Sequence, residues 1–315
     1  MAQSITPKIT VIGSLNMDLI VRAPHIPAPG ETITGSTFST AAGGKGANQA
    51  VAAARLGAQV TMVGCVGDDA HGHALVSGLQ ADGINTDFVR VETATGTGVA
   101  LITVADNGEN SIVVSPGANH TLTPADIKTA KAAIAGADMI LLQLEIPLPT
   151  VEAAVETAAR HNVPVLLNPA PAHPLPDAVL TKITYFIPNE TETTLYCGFP
   201  ADGRGAAEKA ATQLCARYGM AGVVLTLGSR GALLCADGRH TLVPPFAVSP
   251  VDTTAAGDAF VGGFAVAVTE GESPVDAARF AAAVAALSVT KMGAQPSLPR
   301  RDEVVRFLQA NIPSL

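Results

Sequence analysis

A run of small residues precedes one acidic side chain at the start of a predicted C-terminal helix. Residues 251–264 have the sequence VDTTAAGDAFVGGF, in which Ala255, Ala256 and Gly257 come just before Asp258. Small residues let backbone N–H groups crowd an anion at a helix N-terminus, where the helix dipole favours negative charge. Asp258 could then accept a proton from a hydroxyl group. The stretch predicts a phosphate site beside a general base, although a carboxylate that merely caps the helix has the same pattern.

A second glycine-rich stretch lies nearer the N-terminus. Residues 41–50, AAGGKGANQA, precede a long alanine-rich helical pattern. A Walker-type loop needs a hydroxyl residue directly after its lysine to bind magnesium, whereas Lys45 is followed by Gly46 and Ala47. The stretch therefore does not match a Walker-type loop, and we expect phosphate to bind at residues 255–258.

Polar side chains follow several predicted strands. In an open parallel sheet, ligands collect beyond the carboxyl ends of the strands. Amide, carboxylate or hydroxyl residues come after six apolar runs, namely Asn16 and Asp18; Gln143 and Glu145; Asn168; Asn189, Glu190 and Glu192; Thr226 and Ser229; and Asp252 after PFAVSPV. We therefore expect one polar cleft at this edge of the sheet.

Short β-rich runs alternate with amphipathic helical patterns along most of the chain. ITVIG is followed by QAVAAARLGA, VTMVGCVG by HALVSGLQADGI, and MILLQLEIP by TVEAAVETAARHN. VPVLLNPAP, YFIPN and GVVLTLG are further strand candidates, and the pattern from Asp258 onward is almost wholly helical. The alternation predicts an α/β core built on a parallel sheet.

Two segments interrupt this alternation. One contains two period-2 strands around Asp106-Asn107-Gly108, where Asn-Gly tolerates the positive φ angles of a tight hairpin turn. The other is extended and punctuated by proline and glycine. We expect these segments, residues 97–114 and 19–40, to form a small β appendage over the cleft.

Length and composition narrow the class of protein. The chain has 315 residues, 48% of them hydrophobic, which is enough for a large core. A net charge of −8 without clustered Lys and Arg argues against a nucleic-acid surface. The N-terminus has no basic leader followed by a long apolar run, and four scattered cysteines suit reduced thiols. We therefore expect a cytoplasmic protein that is not in a membrane.

Seven motifs occur in order along nearly the whole chain, namely GSLNMD at 13–18, GGKGAN at 43–48, QLE at 143–145, PNETE at 188–192, TLGSRG at 226–231, DTTAAGD at 252–258 and KMGAQPS at 291–297. Together they resemble the ribokinases, within the phosphofructokinase-B family of sugar kinases. The resemblance implies a three-layer α/β/α fold with a mostly parallel central sheet and a small β-sheet lid. It also implies one domain over residues 1–315.

The resemblance implies a role for each matching residue. The sugar would be bound by Asn16, Asp18, Gly44, Lys45, Gly46, Asn48, Glu145 and Asp258. The nucleotide would be bound by Asn189, Thr226, Gly228, Ser229, Arg230, Gly231, Gly257 and, near adenine, Ala282. Asp258 would be the general base, and the amides of Ala255, Ala256 and Gly257 would form the anion hole. Two alternatives stay open: Lys45 could steady its loop rather than face the phosphates, and Glu145 could be an exposed strand-end residue.

The implied reaction is ATP-dependent phosphorylation of D-ribose at its primary O5 hydroxyl. Magnesium would be approached through water by Glu192, and a potassium ion would be bound by Asp252, Thr254, Ser288, Lys291, Gly293 and Ser297, several of them through backbone carbonyls. The cationic Lys291 side chain must then point away from the ion. In ribokinases such lids pair across a homodimer, so the same assembly is expected here.

Three other functions were compared with the implied reaction. A sibling kinase could act on deoxyribose, fructose, a nucleoside or a ketodeoxy acid, because a fold does not choose its substrate. A non-catalytic sugar- or nucleotide-binding regulator is a second rival, and the retained Asp258 argues against it. A dinucleotide-binding dehydrogenase is a distant third, because no G-x-G-x-x-G follows the first strand.

Overall fold

The computed structural model describes residues 6–311, which contain two β-sheets. The strands are Lys8–Ile12 (β1), Asn16–Ala23 (β2), Thr37–Gly43 (β3), Gln59–Gly67 (β4), Asn85–Glu92 (β5), Gly98–Ala105 (β6), Asn110–Ser115 (β7), Met139–Leu142 (β8), Val165–Leu167 (β9), Tyr185–Phe186 (β10), Gly222–Thr226 (β11), Ala232–Ala236 (β12) and Arg239–Val243 (β13). The helices are Lys45–Arg55 (α1), Ala70–Ala81 (α2), Pro124–Thr129 (α3), Lys131–Ala135 (α4), Leu148–Arg160 (α5), Asp177–Leu180 (α6), Glu190–Cys197 (α7), Arg204–Tyr218 (α8), Ala256–Thr269 (α9), Pro274–Ser288 (α10) and Arg301–Ala310 (α11). None of these described helices has the length and apolar composition needed to cross a membrane.

The larger sheet has nine strands in the order β13-β12-β11-β10-β9-β8-β1-β4-β5. The strands from β5 to β11 are parallel, whereas β12 and β13 are antiparallel at one edge. Central β1 places Ile9 opposite Val60 on β4 and Met139 on β8. Parallel neighbours require crossover connections, and the helices provide them.

Helices cover both faces of the larger sheet. Successive strand residues point to opposite sides, so the apolar strands present a hydrophobic surface on each face. Val11 belongs to the core that packs against α1, α2, α9 and α10, while its neighbour Ile12 belongs to the core under α3 to α6 and α8. The buried strand residues therefore fill two cores, one on each side of the sheet. The predicted three-layer α/β/α arrangement with a mostly parallel central sheet is confirmed.

The smaller sheet has four strands in the order β3-β2-β6-β7. β2 and β6 are parallel, with Asp18 opposite Ala100, and the two outer pairings are antiparallel. Its strands extend beyond the expected limits, since β2 begins at Asn16 and β3 ends at Gly43. Asn16 and Asp18 therefore lie on this lid sheet itself rather than before it.

Three local predictions need correction. α1 begins at Lys45, so Lys45, Gly46 and Asn48 lie in its first turn rather than in a loop before the helix. Residues 245–251, PFAVSPV, form no strand, which is consistent with prolines that cannot donate to a sheet ladder. The hairpin between β6 and β7 exists, but Gly108 is the residue of its turn with a positive φ, at 87°.

Candidate active site

The turn before α9 brings together the small residues that were expected to surround an anion. Ala255, Ala256, Gly257 and Asp258 all line a cleft of ≈ 240 Å³. Ala255 is the N-cap of α9 and has a left-handed backbone with φ of 60°, a region that is strained for alanine. The first N–H groups of a helix have no partners within it, so the turn offers the donors that an anion needs.

Asp258 is 6% exposed, and side-chain amides of α1 bind both of its carboxylate oxygens. Asn48 donates from Nδ2 to Oδ2 at 2.9 Å, and Gln49 donates from Nε2 to Oδ1 at 3.0 Å. Burial raises the pKa of Asp258, while Lys45 and the two amide hydrogen bonds oppose that rise. The carboxylate is thus oriented by α1 rather than by the start of its own helix, which favours the general-base interpretation over simple capping.

Lys45 lies in the same cleft and faces several carboxylates. Burial opposes the charge of its amine, but Asp258, Glu145 and Glu192 together raise the Lys45 pKa. Its backbone N–H also donates to Glu145 at 3.1 Å, and Glu145 accepts a further hydrogen bond from the Ser14 hydroxyl. The lysine therefore has both suggested properties, a backbone tied to Glu145 and a cationic side chain in the cleft. The partners of Glu145 do not fit an exposed strand-end residue.

Asn16 and Asp18 are buried on the lid strand β2, with 4% and 7% exposure. Asn119 donates from Nδ2 to Asn16 Oδ1 at 2.8 Å and to the Leu15 carbonyl at 3.0 Å. Burial raises the pKa of Asp18 to about 7, with contributions from Glu145, Asp258 and Asp252. The side chains of Asn16 and Asp18 thus lie at the start of lid strand β2, where the sugar was predicted to bind.

The glycines of the GGKGAN motif pack against the chain itself. A Cβ on Gly46 would lie 2.6 Å from the Gly13 carbonyl carbon, and one on Gly44 would lie 2.7 Å from the Asn16 nitrogen. A Cβ on Gly43 would lie 2.6 Å from an Asp18 carboxylate oxygen. Gly44 and Gly46 were predicted to bind the sugar. Their close neighbours show that, with Gly43, they let α1 and β3 approach β2 and the segment that joins β1 to β2.

The predicted nucleotide residues divide into two groups. Asn189 and Thr226 line the cleft and form an isolated parallel bridge with each other. Gly228 has open space where a Cβ would be, whereas a Cβ on Gly231 would lie 2.1 Å from the Val243 carbonyl. The glycine at 231 is therefore explained by packing against β13, and Gly231 is not among the residues that line the cleft.

Other members of this predicted set lie farther out. Arg230 forms an ion pair with Glu190, and Ser229 lies between Gly228 and Arg230 in a short 3-10 helix. Ala282 is 9% exposed on α10, within the core that includes α9, and it is not part of the lining of the 240 Å³ cleft. The structure therefore brings Thr226 and Gly257 to the cleft but places Ala282 outside it.

Oxygen-rich segments adjoin the turn before α9. Asp252 Oδ1 accepts from the Thr254 N–H at 2.9 Å and hydroxyl at 2.7 Å, and Oδ2 accepts from the Gly293 N–H at 2.8 Å. Although burial opposes it, these bonds lower the pKa of Asp252. Lys291 donates to Glu303 at 2.8 Å, so its ammonium group points away, as the predicted cation site requires. Ser288 and Ser297 are fully buried nearby.

Glu192, predicted to approach magnesium through water, lines the cleft and closes the capping box of α7 with Asn189. Its carboxylate accepts from the Asn189 N–H at 2.8 Å and from Asn189 Nδ2 at 3.0 Å. Burial raises the pKa of Glu192 and Asp258 adds to this effect, while the Asn189 bond and Lys45 oppose it. A carboxylate already bound by Asn189 is suited to contact a metal through water.

The structure also reveals polar residues that the motif analysis left without a role. Gln49 binds Asp258, Gln143 donates to Gln49, and Asn119 binds Asn16. Gln143 and Asn168 were expected in the polar cleft, because both directly follow predicted strands, but no individual role was assigned to them. Gln49 is one residue beyond the recognised motif on the same helical turn as Asn48. No pattern in the sequence points to Asn119.

The sequence matches the family model described as pfkB family carbohydrate kinase over residues 6–301. The chain belongs to this family. It is 44% identical over 301 residues to a ribokinase of Haemophilus influenzae, covering 96% of this chain and 98% of that protein. A ribokinase of Bacillus subtilis is 46% identical over 300 residues, covering 95% and 99%.

A solved structure agrees with this assignment to the pfkB family. Arabidopsis thaliana ribokinase, complexed with ribose and ATP, has a TM-score of 0.90 and 36% identity, over 97% of this chain and 99% of that one. The predicted ribokinase-like fold is therefore confirmed. As a pfkB carbohydrate kinase, the chain is a phosphotransferase.

Proposed function

We propose that this enzyme transfers the γ-phosphoryl group of ATP to the O5 hydroxyl of D-ribose, giving D-ribose 5-phosphate and ADP. One observation carries the proposal: buried Asp258, bound by Asn48 and Gln49, lies in one cleft with the turn before α9. Similarity to two ribokinases, and to a ribokinase complexed with ribose and ATP, supports the choice of both substrates.

The proposed mechanism combines a base with an anion hole. Asp258 removes the proton of the ribose O5 hydroxyl, and that oxygen attacks the γ-phosphorus in line with the departing ADP oxygen. The amides of Ala255, Ala256 and Gly257 stabilise negative charge on the transferring group. Lys45, raised in pKa by three carboxylates, supplies a cation in the same cleft. Asn16, Asp18, Asn48 and Glu145 bind the remaining hydroxyls.

Two metal ions belong to the proposal. Bound magnesium would neutralise charge on the ATP phosphates, with Glu192 contacting its waters. Potassium would be held by oxygens of residues 252–254 and 291–297, together with Ser288. The Asp252 hydrogen bonds to Thr254 and Gly293 already join these two segments. The ion would therefore stiffen the turn that binds phosphate.

The lid sheet supports the proposed assembly and limits water access. Residues 16–43 and 98–115 carry both the sugar residues Asn16 and Asp18 and an outer apolar surface. We propose that this surface joins two copies of the chain, and that the lid shields the sugar from water. Four free cysteines support a reducing, cytoplasmic location.

Replacing the base tests the mechanism. Asp258→Asn keeps the shape of the group and one of its two acceptor oxygens but cannot accept the proton. Turnover should fall by about two to four orders of magnitude, the range for a lost general base. Ribose and ATP binding by calorimetry should change little. Near-normal ADP production would contradict the assignment of Asp258.

A substrate panel tests the choice of sugar. ADP production should be fastest with D-ribose, and slower with deoxyribose, fructose or a nucleoside, in the presence of magnesium. A regulator without catalysis would release no ADP when sugar and magnesium are both supplied. Fastest turnover of another substrate would keep the kinase and overturn the ribose assignment. Repeating the assay with and without potassium measures the activation by that ion.

A further inference from the structure

A chain of buried amides connects the sheet to the catalytic carboxylate. Gln49 and Gln143 are both 0% exposed, and Gln143 Nε2 donates to Gln49 Oε1 at 2.5 Å. Gln49 Nε2 in turn donates to Asp258 Oδ1 at 3.0 Å and lies 3.3 Å from Asn168 Oδ1. Asn168 is anchored by its own bond to the Ile187 carbonyl at 2.9 Å. Gln143 and Asn168, at two strand ends, thus both contact Gln49, which binds the carboxylate.

This chain determines which end of the Gln49 amide faces Asp258. The side-chain oxygen of Gln49 accepts the hydrogen bond from Gln143, so the side-chain nitrogen of Gln49 must face the Asp258 carboxylate. A reversed amide would place an oxygen against Asp258 and a donor against the Gln143 NH₂ group, which is unfavourable at both contacts. Gln143 Oε1 has no hydrogen-bond partner among the described residues. A buried hydrogen-bond acceptor without a partner destabilises the folded state. Here it accompanies the fixed orientation of the hydrogen bonds that run from Gln143 through Gln49 to Asp258.

We propose that Gln49 is a positioning residue for the reaction, whose amide fixes the carboxylate plane of Asp258 and stabilises its ionised, proton-accepting form. Gln143 and Asn168 act through Gln49 by locking its rotamer. The inference rests on the proposed function, because it assigns Gln49 to the same proton transfer.

The other charged groups around Asp258 come from several elements. Lys45 on α1 favours its ionised form, whereas Glu145 after β8 disfavours it. Asp18 on β2 and Glu192 on α7 also interact with Asp258 through their charges. None of these groups is removed when Gln49 is replaced. A change in the titration of Asp258 can therefore be traced to the lost amide.

The test replaces Gln49 with a side chain of similar length that cannot donate. In Gln49→Met, kcat should fall about tenfold or more, while the KM for ATP changes little. Without the donor, the ionised form of Asp258 is less stable, so its pKa rises. The acid limb of the kcat–pH profile should then move to higher pH, by about one pH unit. Gln143→Met removes only the hydrogen bond that holds the Gln49 rotamer, so it should cause a smaller shift in the same direction.

A control separates positioning from loss of stability. Thr150 is equally buried, and its hydroxyl donates to the Leu122 carbonyl at 2.7 Å, within the core on the opposite face of the sheet. Thr150→Val should lower thermal stability without moving the acid limb. If Gln49→Met behaves like Thr150→Val, with an unshifted limb, the inference is wrong although the kinase assignment stands.

A second readout does not depend on turnover. The Asp258 carboxyl carbon can be titrated by NMR in protein labelled with ¹³C-aspartate, with Asp258→Asn identifying its signal. The midpoint should be higher in Gln49→Met than in the unmodified chain. Equal midpoints would overturn the inference. If the unmodified chain fails to phosphorylate ribose, the proposed function fails, and this titration still decides the role of Gln49.

Discussion

Asp18, which is proposed to bind the sugar, shows how burial destabilises a charged carboxylate. It is 7% exposed, and burial together with Glu145, Asp258 and Asp252 raises its pKa to about 7. An unfolded aspartate ionises near pH 4, so between these values the folded state binds a proton that the unfolded state has lost. Because only the unfolded state gains free energy by ionising Asp18 in this window, the free enzyme becomes progressively less stable as the pH rises through it. Sugar hydroxyls that donate to the carboxylate would offset that cost.

Asp18→Asn should raise the stability of the free enzyme and lower its affinity for ribose. Because the amide has no charge to bury, the variant should be more thermally stable than the parent at pH 8, and the difference should shrink towards pH 5. Ribose affinity measured by calorimetry should fall by about tenfold or more, as for a lost hydrogen bond to a charged group. Asp106→Asn, on the exposed hairpin turn, is the control and should change neither property. A variant less stable than the parent at pH 8 would contradict the burial argument.

Residue types in the site were largely predictable, whereas their couplings were not. Asp258 and Asn48 belong to recognisable motifs; the chemistry of the turn before α9 predicted a base at Asp258, and the resemblance implied a sugar contact for Asn48. Gln49 has no comparable signature, because its partners Gln143 and Asn168 lie 94 and 119 residues away in the sequence. Contacts at such separations depend on how helices dock on the sheet, which periodicity does not specify.

At the scale of elements, the contact between α1 and α9 determines the geometry of the base. α1 carries Asn48 and Gln49, and α9 carries Asp258. The two helices approach closely at Gly262, where a Cβ would lie 2.6 Å from the Ala52 Cβ and 3.1 Å from the Gln49 carbonyl. The adjacent Gly263 packs in the same way against α10, at Ala281 and Val284. Glycine here keeps the amide donors within reach of the carboxylate.

Gly262→Ala should therefore affect stability and catalysis together. The added methyl group should force the helices apart and lower the free energy of unfolding by about 1–3 kcal/mol, as overpacking usually does. It should also lower kcat, because Gln49 and Asn48 move relative to Asp258. Denaturant unfolding and ADP production measure the two effects.

Gly78→Ala provides the matched control, because Gly78 lies within α2 with nothing within 4 Å of its added Cβ. It should stabilise the chain by up to about 1 kcal/mol through helix propensity, without altering kcat. If Gly262→Ala were as well tolerated as Gly78→Ala, close helix approach would not control the site.

Periodicity predicted the element types better than their limits. Short apolar runs identified β1 and β4, which are buried along nearly their whole length, and period-2 alternation identified β6 and β7. The start of α1 was placed too late, since the glycines around Lys45 are poor helix formers, and packing of Gly46 on the β1–β2 connection overrides that low propensity. The apolar segment 245–251 was mistaken for a strand, because burial periodicity alone does not register the missing N–H groups of proline.

At the scale of the whole molecule, the lid sheet has two unlike faces. The register places Asp18 on the same face as Ala100, and puts Leu101 and Val113 on the opposite face. On that opposite face Phe38 is 65% exposed, Val113 63% and Leu101 51%. A monomer rarely leaves so many large apolar side chains of one sheet in water, so this face is the surface proposed to join two chains.

Leu101→Lys should disrupt that assembly. A buried ammonium group without a partner is strongly unfavourable at an interface, so the variant should have the mass of a monomer by light scattering. Val305→Lys on α11, where the native valine is 40% exposed, should leave the mass of a dimer unchanged. A parent chain that is itself monomeric at assay concentration would contradict the proposed dimer.

The strand order of the larger sheet has a consequence for synthesis on the ribosome. Each strand after β1 pairs with one already made: β4 with β1, β5 with β4, β8 with β1, and then β9 to β13 in succession. The buried side of α1, in contrast, is covered by α9, which begins only at Ala256. A nascent chain that stops short of that residue carries a completed sheet beneath an uncovered helix. Such apolar surface promotes aggregation, so the final helices act as the closing step of folding.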